Sequence, residues 1–221
     1  MIPWLGQSLC FPPVEQSTPE GIVAVGGDLS PARLLLAYRS GIFPWYGAGQ
    51  PVIWWSPDPR GIIPLEGFRI NRSLKKALRR AGFEIRVNTA FDKVIASCAS
   101  AHEGLRATGW LTDDMILAYM RLRRLGLAHS VETWRDGELV GGLYGVAVGR
   151  LFAGESMFHL LPNASKAALA ALVQRLKERG YMLLDCQMVT PATGPLGAIE
   201  IPRSEYLERL SVALGWDCVF E

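Results

Sequence analysis

The stretch from residue 128 to residue 190 constrains the fold of this 221-residue chain more than any other segment. Three of its segments alternate large apolar residues with small or polar ones, which is typical of strands, and Asp136-Gly137 between the first two is a strong hairpin signal. A helical pattern follows, with Asn163 as its expected N-cap, and a further strand comes after the helix. In order, the segments are "AHSVETW", "ELVGGLYGVAVG", "RLFAGESMF", "ASKAALAALVQRLKER" and "YMLLDCQMVT".

This order of elements, an antiparallel meander followed by a helix and one more strand, is the core order of the GNAT (acyl-CoA N-acyltransferase) architecture. Many α+β domains share it, so the order by itself is a weak signal. Residues 1–60 differ, because they are rich in Pro, Gly and Trp and contain one clear helix, which Ser30 caps and Gly41 ends. We therefore predict an α+β fold in which a small N-terminal domain, residues 1–60, precedes a GNAT-like domain, residues 61–221.

The composition favours a globular protein without a general polyelectrolyte surface, since 49% of residues are hydrophobic, 20% are charged and the net charge is only +2. The four cysteines are scattered without a C-x-x-C pair, which argues against a zinc site and a disulfide scaffold. The first residues lack the basic start of a signal peptide, and the longest weakly charged stretch contains Arg150 and many glycines. We predict a cytoplasmic protein with no membrane helix and no metal site.

Two neighbouring strands carry polar residues where apolar ones are expected. Asp185 and Gln187 are two positions apart in "YMLLDCQMVT", so their side chains point to the same side of a strand. By the same alternation, Glu155 shares a face with Ala153 and Met157 in the preceding strand. If the GNAT order holds, the two strands lie in the same sheet, so that Glu155, Asp185 and Gln187 could converge. Burial of an unpaired charge is costly, and such residues therefore need partners or a function. The alternative, that each is a satisfied core polar group, stays open for any one of them.

A short helix near residue 75 is strongly basic on one side, and Ser73 is its expected cap. Such a face is a candidate track for the phosphates of a nucleic acid, although a solvated surface helix is an equally good interpretation. The positive residues at helical spacing are Arg72, Lys75, Lys76, Arg79 and Arg80.

An enzyme that uses CoA would be expected to have a glycine-rich turn between the third strand and the following helix, to hold the pyrophosphate. That turn reads "FHLLPNASK" and contains no glycine. If the chain is an acyltransferase, we therefore predict an acyl donor other than CoA.

Nine stretches in order along nearly the whole chain resemble leucyl/phenylalanyl-tRNA–protein transferases. They are "GGDLSPARLLLAYRSGIFPW", "IWWSPDPR", "TGWLTDDM", "AHSVETW", "ELVGGLYGV", "FAGESMF", "NASKAAL", "LLDCQ" and "LGAIEIPR". The resemblance implies transfer of Leu or Phe, sometimes Met, from aminoacyl-tRNA to proteins with an N-terminal Arg or Lys, in N-end-rule degradation and without a cofactor.

The resemblance also implies roles for individual residues. Glu155, Asp185 and Gln187 would be catalytic, and the basic helix would contact the tRNA backbone. Residues that would hold the terminal adenosine are Tyr38, Trp45 and Trp110. Residues that would line the pocket for the aminoacyl side chain are Leu143, Phe152, Met157, Leu169, Leu172 and Leu184.

This reaction does not require a strong base. An aminoacyl ester is already activated, and an α-amine with a reference pKa of roughly 7.7–8.0 is partly neutral near pH 7. We expect Gln187 to accept a hydrogen bond from the amine, Asp185 to polarise or orient the Gln187 amide, and Glu155 to pair with the acceptor's cationic group. Two alternatives stay open at this stage: a tRNA-binding protein without activity, and a small-molecule acetyltransferase that uses CoA.

Overall fold

The computed structural model describes residues 1–103 and 111–221. Within these residues the chain forms two β-sheets with helices packed against them, which confirms the α+β class. The predicted adenosine contact Trp110 lies outside the described residues.

The smaller sheet is built from the first quarter of the chain. Its four strands lie in the order β1-β2-β4-β3, with β1 parallel to β2 and the other pairs antiparallel. The strands are β1 (Trp4–Leu5), β2 (Ile22–Gly26), β3 (Phe43–Pro44) and β4 (Ile53–Trp55). Between β2 and β3 lies the helix α1 (Pro31–Arg39), whose first turn is capped by the Ser30 hydroxyl, as predicted.

The larger sheet has seven strands in the order β11-β5-β10-β9-β8-β7-β6. The strands are β5 (Arg60–Ile62), β6 (Glu84–Val87), β7 (Ala128–Arg135), β8 (Glu138–Val148), β9 (Leu151–His159), β10 (Leu183–Gln187) and β11 (Ile199–Ile201). The predicted meander is confirmed in β7–β9, and its first hairpin turns at Asp136 and Gly137, both with positive φ.

After the meander, the helix α5 (Ala164–Glu178) leads into β10, which lies parallel to β9. This is the GNAT core order that the sequence predicted, and the prediction is confirmed. Pairing between β9 and β10 runs from Leu151 and Leu183 to Ala153 and Asp185. Beyond that last pair the two strands no longer register with each other, and a gap between them opens.

The remaining helices are α2 (Arg72–Arg80), α3 (Phe91–Glu103), α4 (Asp113–Arg124) and α6 (Arg203–Leu214). Two predicted caps were wrong. Helix α2 is capped by Asn71, whose Oδ1 accepts from Leu74 N at 2.8 Å, because Ser73 already lies in the helix and donates its hydroxyl to the same oxygen. Asn163 does precede α5, but its left-handed backbone (φ 70°) leaves its side chain without a capping bond.

The alternation predicted along β9 was also wrong in one respect. Tyr144 registers with Ser156 and Gly145 with Gly154, so Glu155 is an extra residue, a β-bulge. The bulge reverses which side each later residue faces. As a result, Met157 packs in a different hydrophobic cluster from Ala153.

The largest hydrophobic cluster joins the two sheets. It contains Leu34 and Trp54 from the first sixty residues together with Met115, Tyr144 and Val146 from the rest of the chain. In addition, β5 of the large sheet begins at Arg60. The division at residue 60 therefore stays a prediction, and the two parts share buried apolar surface.

Candidate active site

A cavity of about 570 Å³ lies in the gap between β9 and β10. Leu169 and Leu172 of α5 contribute on one side, and Phe43 and Trp45 of the N-terminal part contribute on the other. The walls are mainly apolar, and the polar groups Glu155 and Gln187 lie where the strands separate. A cavity of this size with few convergent polar groups is typical of a site for a small molecule or for the end of a larger substrate.

The structure places most of the predicted pocket residues on the wall of this cavity. The lining residues among them are Trp45, Leu143, Met157, Leu169, Leu172 and Leu184. Phe152 lies behind the wall rather than on it, because it is fully buried and stacks on Phe220, with ring centroids 5.2 Å apart. It supports the pocket from the core.

Glu155 is half-buried at the cavity, where the bulge in β9 turns its side chain towards two tyrosines. Tyr38 donates to Oε1 at 2.8 Å and Tyr119 donates to Oε2 at 2.7 Å. The Nε2 of Gln187 lies 3.5 Å from Oε1, so two of the three predicted catalytic side chains meet directly.

Burial raises the pKa of the Glu155 carboxyl to about 7, although the hydroxyls of Tyr119 and Tyr38 act in the opposite direction. The two tyrosine oxygens also lie 2.8 Å from each other, so Tyr38, Tyr119 and Glu155 form one connected polar cluster.

Asp185 has a different environment, although it lies on the next strand. Its carboxylate accepts two bonds from Arg60, at 2.9 and 2.6 Å, and one from the Tyr206 hydroxyl at 2.9 Å. Both members of the ion pair are 1% exposed. Burial alone would lower the pKa of the Arg60 guanidinium, but the charge of Asp185 more than offsets this, and the pKa lies above its ordinary value.

Gln187 ends β10 in a left-handed backbone conformation, with φ 57°. Its backbone N–H donates to Asp185 Oδ1 at 2.9 Å, and its side chain extends towards Glu155. The sequence predicted that Asp185 acts on the side-chain amide of Gln187. The contact that the structure shows is instead with the backbone, because strand geometry ends at Gln187.

Comparison with known proteins then decides the family. A profile described as "Leucyl/phenylalanyl-tRNA protein transferase" matches residues 62–211, and one for the N-terminal domain of that family matches residues 27–58. A leucyl/phenylalanyl-tRNA–protein transferase from Thiobacillus denitrificans is 54% identical over 203 residues, which cover 91% of this chain and 89% of that protein. The chain belongs to the leucyl/phenylalanyl-tRNA–protein transferase family.

A further leucyl/phenylalanyl-tRNA–protein transferase, from Syntrophotalea carbinolica, is 53% identical over 205 residues, covering 93% of this chain and 89% of that protein. Among solved structures, a ribosomal-protein-alanine N-acetyltransferase from Brucella melitensis biovar Abortus 2308 is 17% identical with a TM-score of 0.37, over 51% of this chain and 85% of that chain.

One residue that the family resemblance assigned to the terminal adenosine cannot stack on a base here. Tyr38 is 2% exposed, and its hydroxyl is bound to Glu155 and Tyr119, so its ring belongs to the core. Trp45, in contrast, is partly exposed on the cavity wall. Its ring meets Trp55 edge-on, with centroids 5.6 Å apart, and the Trp45 carbonyl accepts the indole N–H of Trp55 at 2.7 Å. Trp45 is therefore a fixed aromatic surface on the cavity wall.

The basic residues of α2 are all exposed, and Leu74 on the opposite side of the helix is buried. This arrangement agrees with the amphipathic pattern in the sequence and leaves the charged side open to solvent.

Sequence reasoning missed three residues that hold the polar groups of the site. Arg60 and Tyr206 bind Asp185, and Tyr119 binds Glu155. Arg60 gives a weak signal, because it stands immediately before the apolar run "GIIP" and a buried arginine needs a carboxylate. Tyr119 and Tyr206 lie in ordinary amphipathic helices, where a tyrosine gives no such signal.

Two further features are absent from the described residues. No group of three His, Cys, Asp or Glu side chains is arranged to hold a metal ion there. The helices of residues 1–103 and 111–221 are all too short or too polar to cross a bilayer.

Proposed function

We propose that this chain transfers Leu or Phe, and to a smaller extent Met, from aminoacyl-tRNA to proteins that begin with Arg or Lys, as a cytoplasmic enzyme of N-end-rule degradation. Membership of the leucyl/phenylalanyl-tRNA–protein transferase family supports the activity. The observation that carries the proposal is the apolar cavity between β9 and β10, whose polar groups Glu155 and Gln187 lie 3.5 Å apart.

The reaction is the aminolysis of an ester. The nitrogen of the acceptor's α-amine forms a bond to the carbonyl carbon of the aminoacyl group, and the bond from that carbon to the ribose oxygen breaks. The amine loses one proton, and the ribose oxygen gains one as the hydroxyl of the free tRNA. Because the ester is activated, the protein needs to align the two substrates rather than drive the reaction.

Gln187 aligns the amine in this proposal. Its amide oxygen accepts a hydrogen bond from the neutral amine, and its Nε2 is oriented by Glu155 at 3.5 Å. An amide barely binds a proton, so its contribution is orientation and electrostatics rather than general base catalysis.

The apolar end of the cavity receives the aminoacyl side chain. Leu169, Leu172 and Leu184 form part of its wall, with no charged group among them. A difference of one methylene in such a pocket changes the binding free energy by only about 1–3 kcal/mol. Overlapping use of Leu, Phe and Met is therefore expected.

Glu155 is the carboxylate available to a cationic acceptor at this cavity. Asp185 also lines the cavity, but Arg60 and Tyr206 already neutralise and bind it. Since the pKa of Glu155 is about 7, the approach of an N-terminal Arg or Lys would favour its ionised form. This supports a preference for cationic N-termini.

The exposed side of α2 would contact the phosphates of the tRNA. Its positive residues are spaced so that they share one face of the helix. The affinity of such a face for nucleic-acid phosphates falls as the salt concentration rises.

The packing of α5 argues against CoA as the acyl donor. Its first two residues, Ala164 and Ser165, are buried against β8. A Cβ atom at Gly141 in β8 would come within 2.5 Å of the Ala164 side chain, so the first turn of α5 packs directly against the strand. A titration with acetyl-CoA should show no binding.

Incubation with labelled Leu-tRNA and peptides that differ only in their first residue tests the proposal. We expect label on peptides that begin with Arg or Lys, and the variant Gln187→Ala should transfer about 100-fold more slowly. The control is Gln174→Ala, which removes an exposed amide from α5 and should not change the rate. Binding of aminoacyl-tRNA without transfer would support the inactive tRNA-binding protein instead, and a preference for acidic N-termini would overturn the role of Glu155.

The tRNA contact is tested by reversing the charges of Lys75, Lys76 and Arg79. The variant should use Leu-tRNA less efficiently, and its rate should depend less steeply on salt. A matched variant that reverses Arg135, Lys177 and Arg209, on other surfaces, changes the net charge equally. Equal losses in the two variants would show that α2 is only a solvated surface.

A further inference from the structure

The strand β5, to which the sequence assigned no function, lies directly against the turn that carries Gln187. In their antiparallel pairing, Ile62 registers with Asp185 and Gly61 with Gln187, which leaves Cys186 as the irregular position between them. The strand β5 therefore lies beside the end of β10, from Asp185 to the turn at Gln187.

The turn at Gln187 is conformationally unfavourable. Gln187 has φ 57°, and the N–H of Met188 donates to the Cys186 carbonyl at 2.6 Å, which closes a three-residue γ-turn. A γ-turn with positive φ at its central residue is rare and strained, and a residue other than glycine costs about 1–3 kcal/mol in such a conformation. It persists only where the surrounding structure holds it in place.

The ion pair below the turn provides that hold. Asp185 Oδ1 accepts the N–H of Gln187 at 2.9 Å, which ties the turn to the carboxylate. Arg60 fixes the carboxylate with two parallel bonds and donates its Nη1 to the Gly41 carbonyl at 2.9 Å. The guanidinium lies between two rings, 4.4 Å from the centroid of Tyr206 and 4.8 Å from that of Phe43. The carboxylate of Asp185, the guanidinium of Arg60 and the side chain of Tyr206 are therefore each held by more than one contact.

The next residue of β5 limits the turn from the other side. A Cβ atom at Gly61 would lie 2.6 Å from the carbonyl carbon and 2.8 Å from the nitrogen of Met188. Real Cβ atoms do not approach backbone so closely, so only glycine lets the turn lie against β5. Arg60 and Gly61 thus act on the two ends of the same turn, one through a carboxylate and one through direct contact.

We propose that Arg60, Gly61 and Tyr206 are positioning residues that aim the side chain of Gln187 into the cavity by holding its strained turn. This inference rests on the proposed function, because it assumes that Gln187 acts on the amine. It also assigns a specific task to Asp185, which is to hold the backbone of Gln187 rather than to take part in proton transfer.

Tyr206→Phe is the variant with the smallest structural disturbance, because it keeps the ring over Arg60 and removes only the hydroxyl that binds Asp185. We expect kcat to fall about 10-fold while KM for Leu-tRNA stays unchanged, since a misplacement well below 1 Å is sufficient for such a loss. The matched control is Tyr181→Phe, a buried tyrosine whose hydroxyl lies near Cys218 and makes no contact with Asp185 or Arg60. That variant should keep the wild-type kcat.

A double-mutant cycle separates positioning from general damage to the fold. If Tyr206 acts through Gln187, then Tyr206→Phe should change the rate less than about 2-fold in the Gln187→Ala background. A full 10-fold loss in both backgrounds would overturn the proposal, as would a wild-type rate for Tyr206→Phe alone. Gly61→Ala provides a second route to the same cycle, and it is decisive if Tyr206→Phe does not fold.

The outcomes also distinguish this inference from the proposed function. Transfer by the wild type with no effect of Gln187→Ala would overturn the positioning role and leave the transferase activity standing. Absence of transfer by the wild type would remove the function itself, and the positioning role with it.

Discussion

Two carboxylates, Asp185 and Glu155, lie on neighbouring strands at one cavity, yet their surroundings are opposite. Asp185 is bound by a guanidinium, a hydroxyl and a backbone N–H. Glu155 is bound by two neutral tyrosines and lies 3.5 Å from the Gln187 amide. The first is a neutralised structural ion, and the second has a pKa of about 7. Burial alone therefore does not decide whether a carboxylate is ionised, because the charge of its partner does.

Because of this difference, the carboxylates of Asp185 and Glu155 are expected to have different roles. Asp185 is committed to four hydrogen bonds and has no capacity left for a substrate. Glu155 changes its protonation near neutral pH and lines the cavity. A group of this kind can respond to the charge of an arriving substrate, whereas a saturated ion pair cannot.

The largest expected effect concerns the Arg60–Asp185 pair. Asp185→Ala leaves Arg60 buried without its counter-charge, so the free energy of unfolding should fall by about 3–5 kcal/mol. Urea denaturation at pH 7 measures it. The control Glu205→Ala breaks the exposed pair with Arg209 on α6 and should cost less than about 1 kcal/mol. Equal losses would mean that the buried pair contributes no more than a surface one.

The next largest effect is the pH dependence of acceptor binding. Between pH 6 and pH 8 the ionised fraction of a group with a pKa of about 7 rises roughly tenfold, so KM for an Arg-peptide should fall by a similar factor in the wild type. Glu155→Gln should remove this fall. The ratio of the two proteins' KM values at each pH cancels the titration of the peptide's own amine. A constant ratio would show that Glu155 does not contact the acceptor's charge.

A smaller effect is expected on stability. Because the pKa of Glu155 in the folded protein lies above the ordinary value of 4.5, the folded state binds more protons than the unfolded chain between about pH 4.5 and pH 7. The contribution of this group to stability therefore falls as the pH rises through that window. Glu155→Gln should raise the melting temperature by several degrees at pH 8 and by less at pH 5. A uniform change across this range would contradict the raised pKa.

The smallest effect should come from the tyrosines. Tyr119→Phe removes one donor that stabilises the ionised carboxyl, so the pKa of Glu155 should rise further, by an amount worth about 1 kcal/mol. Titration of the isotopically labelled carboxyl carbon by NMR measures this. Tyr46→Phe, where the hydroxyl contacts Thr112 rather than Glu155, is the control and should leave the titration unchanged.

Much of this site was accessible from the sequence. The alternating segments predicted the meander, and the position of Asp185 and Gln187 in an apolar strand marked them before any coordinates were considered. The apolar residues of the pocket other than Leu172 could be named because the family motifs contain them. The sequence did not predict which residues of β9 face the same side, since a β-bulge leaves no periodic signal. It also gave the wrong cap for α2, where Asn71 and Ser73 are both good capping residues.

The sequence by itself determined the order of the elements, the cap of α1 and the types of side chain at the cavity, because each of these depends on residues close together in the chain. Only the tertiary structure decided what each carboxylate meets. Arg60 lies 125 positions before Asp185, and Tyr38 lies 117 positions before Glu155. Such pairs depend on how strands and helices that are distant in sequence are placed against each other. The local hydrophobic pattern does not predict that placement. The ionisation of the site was therefore settled by the fold.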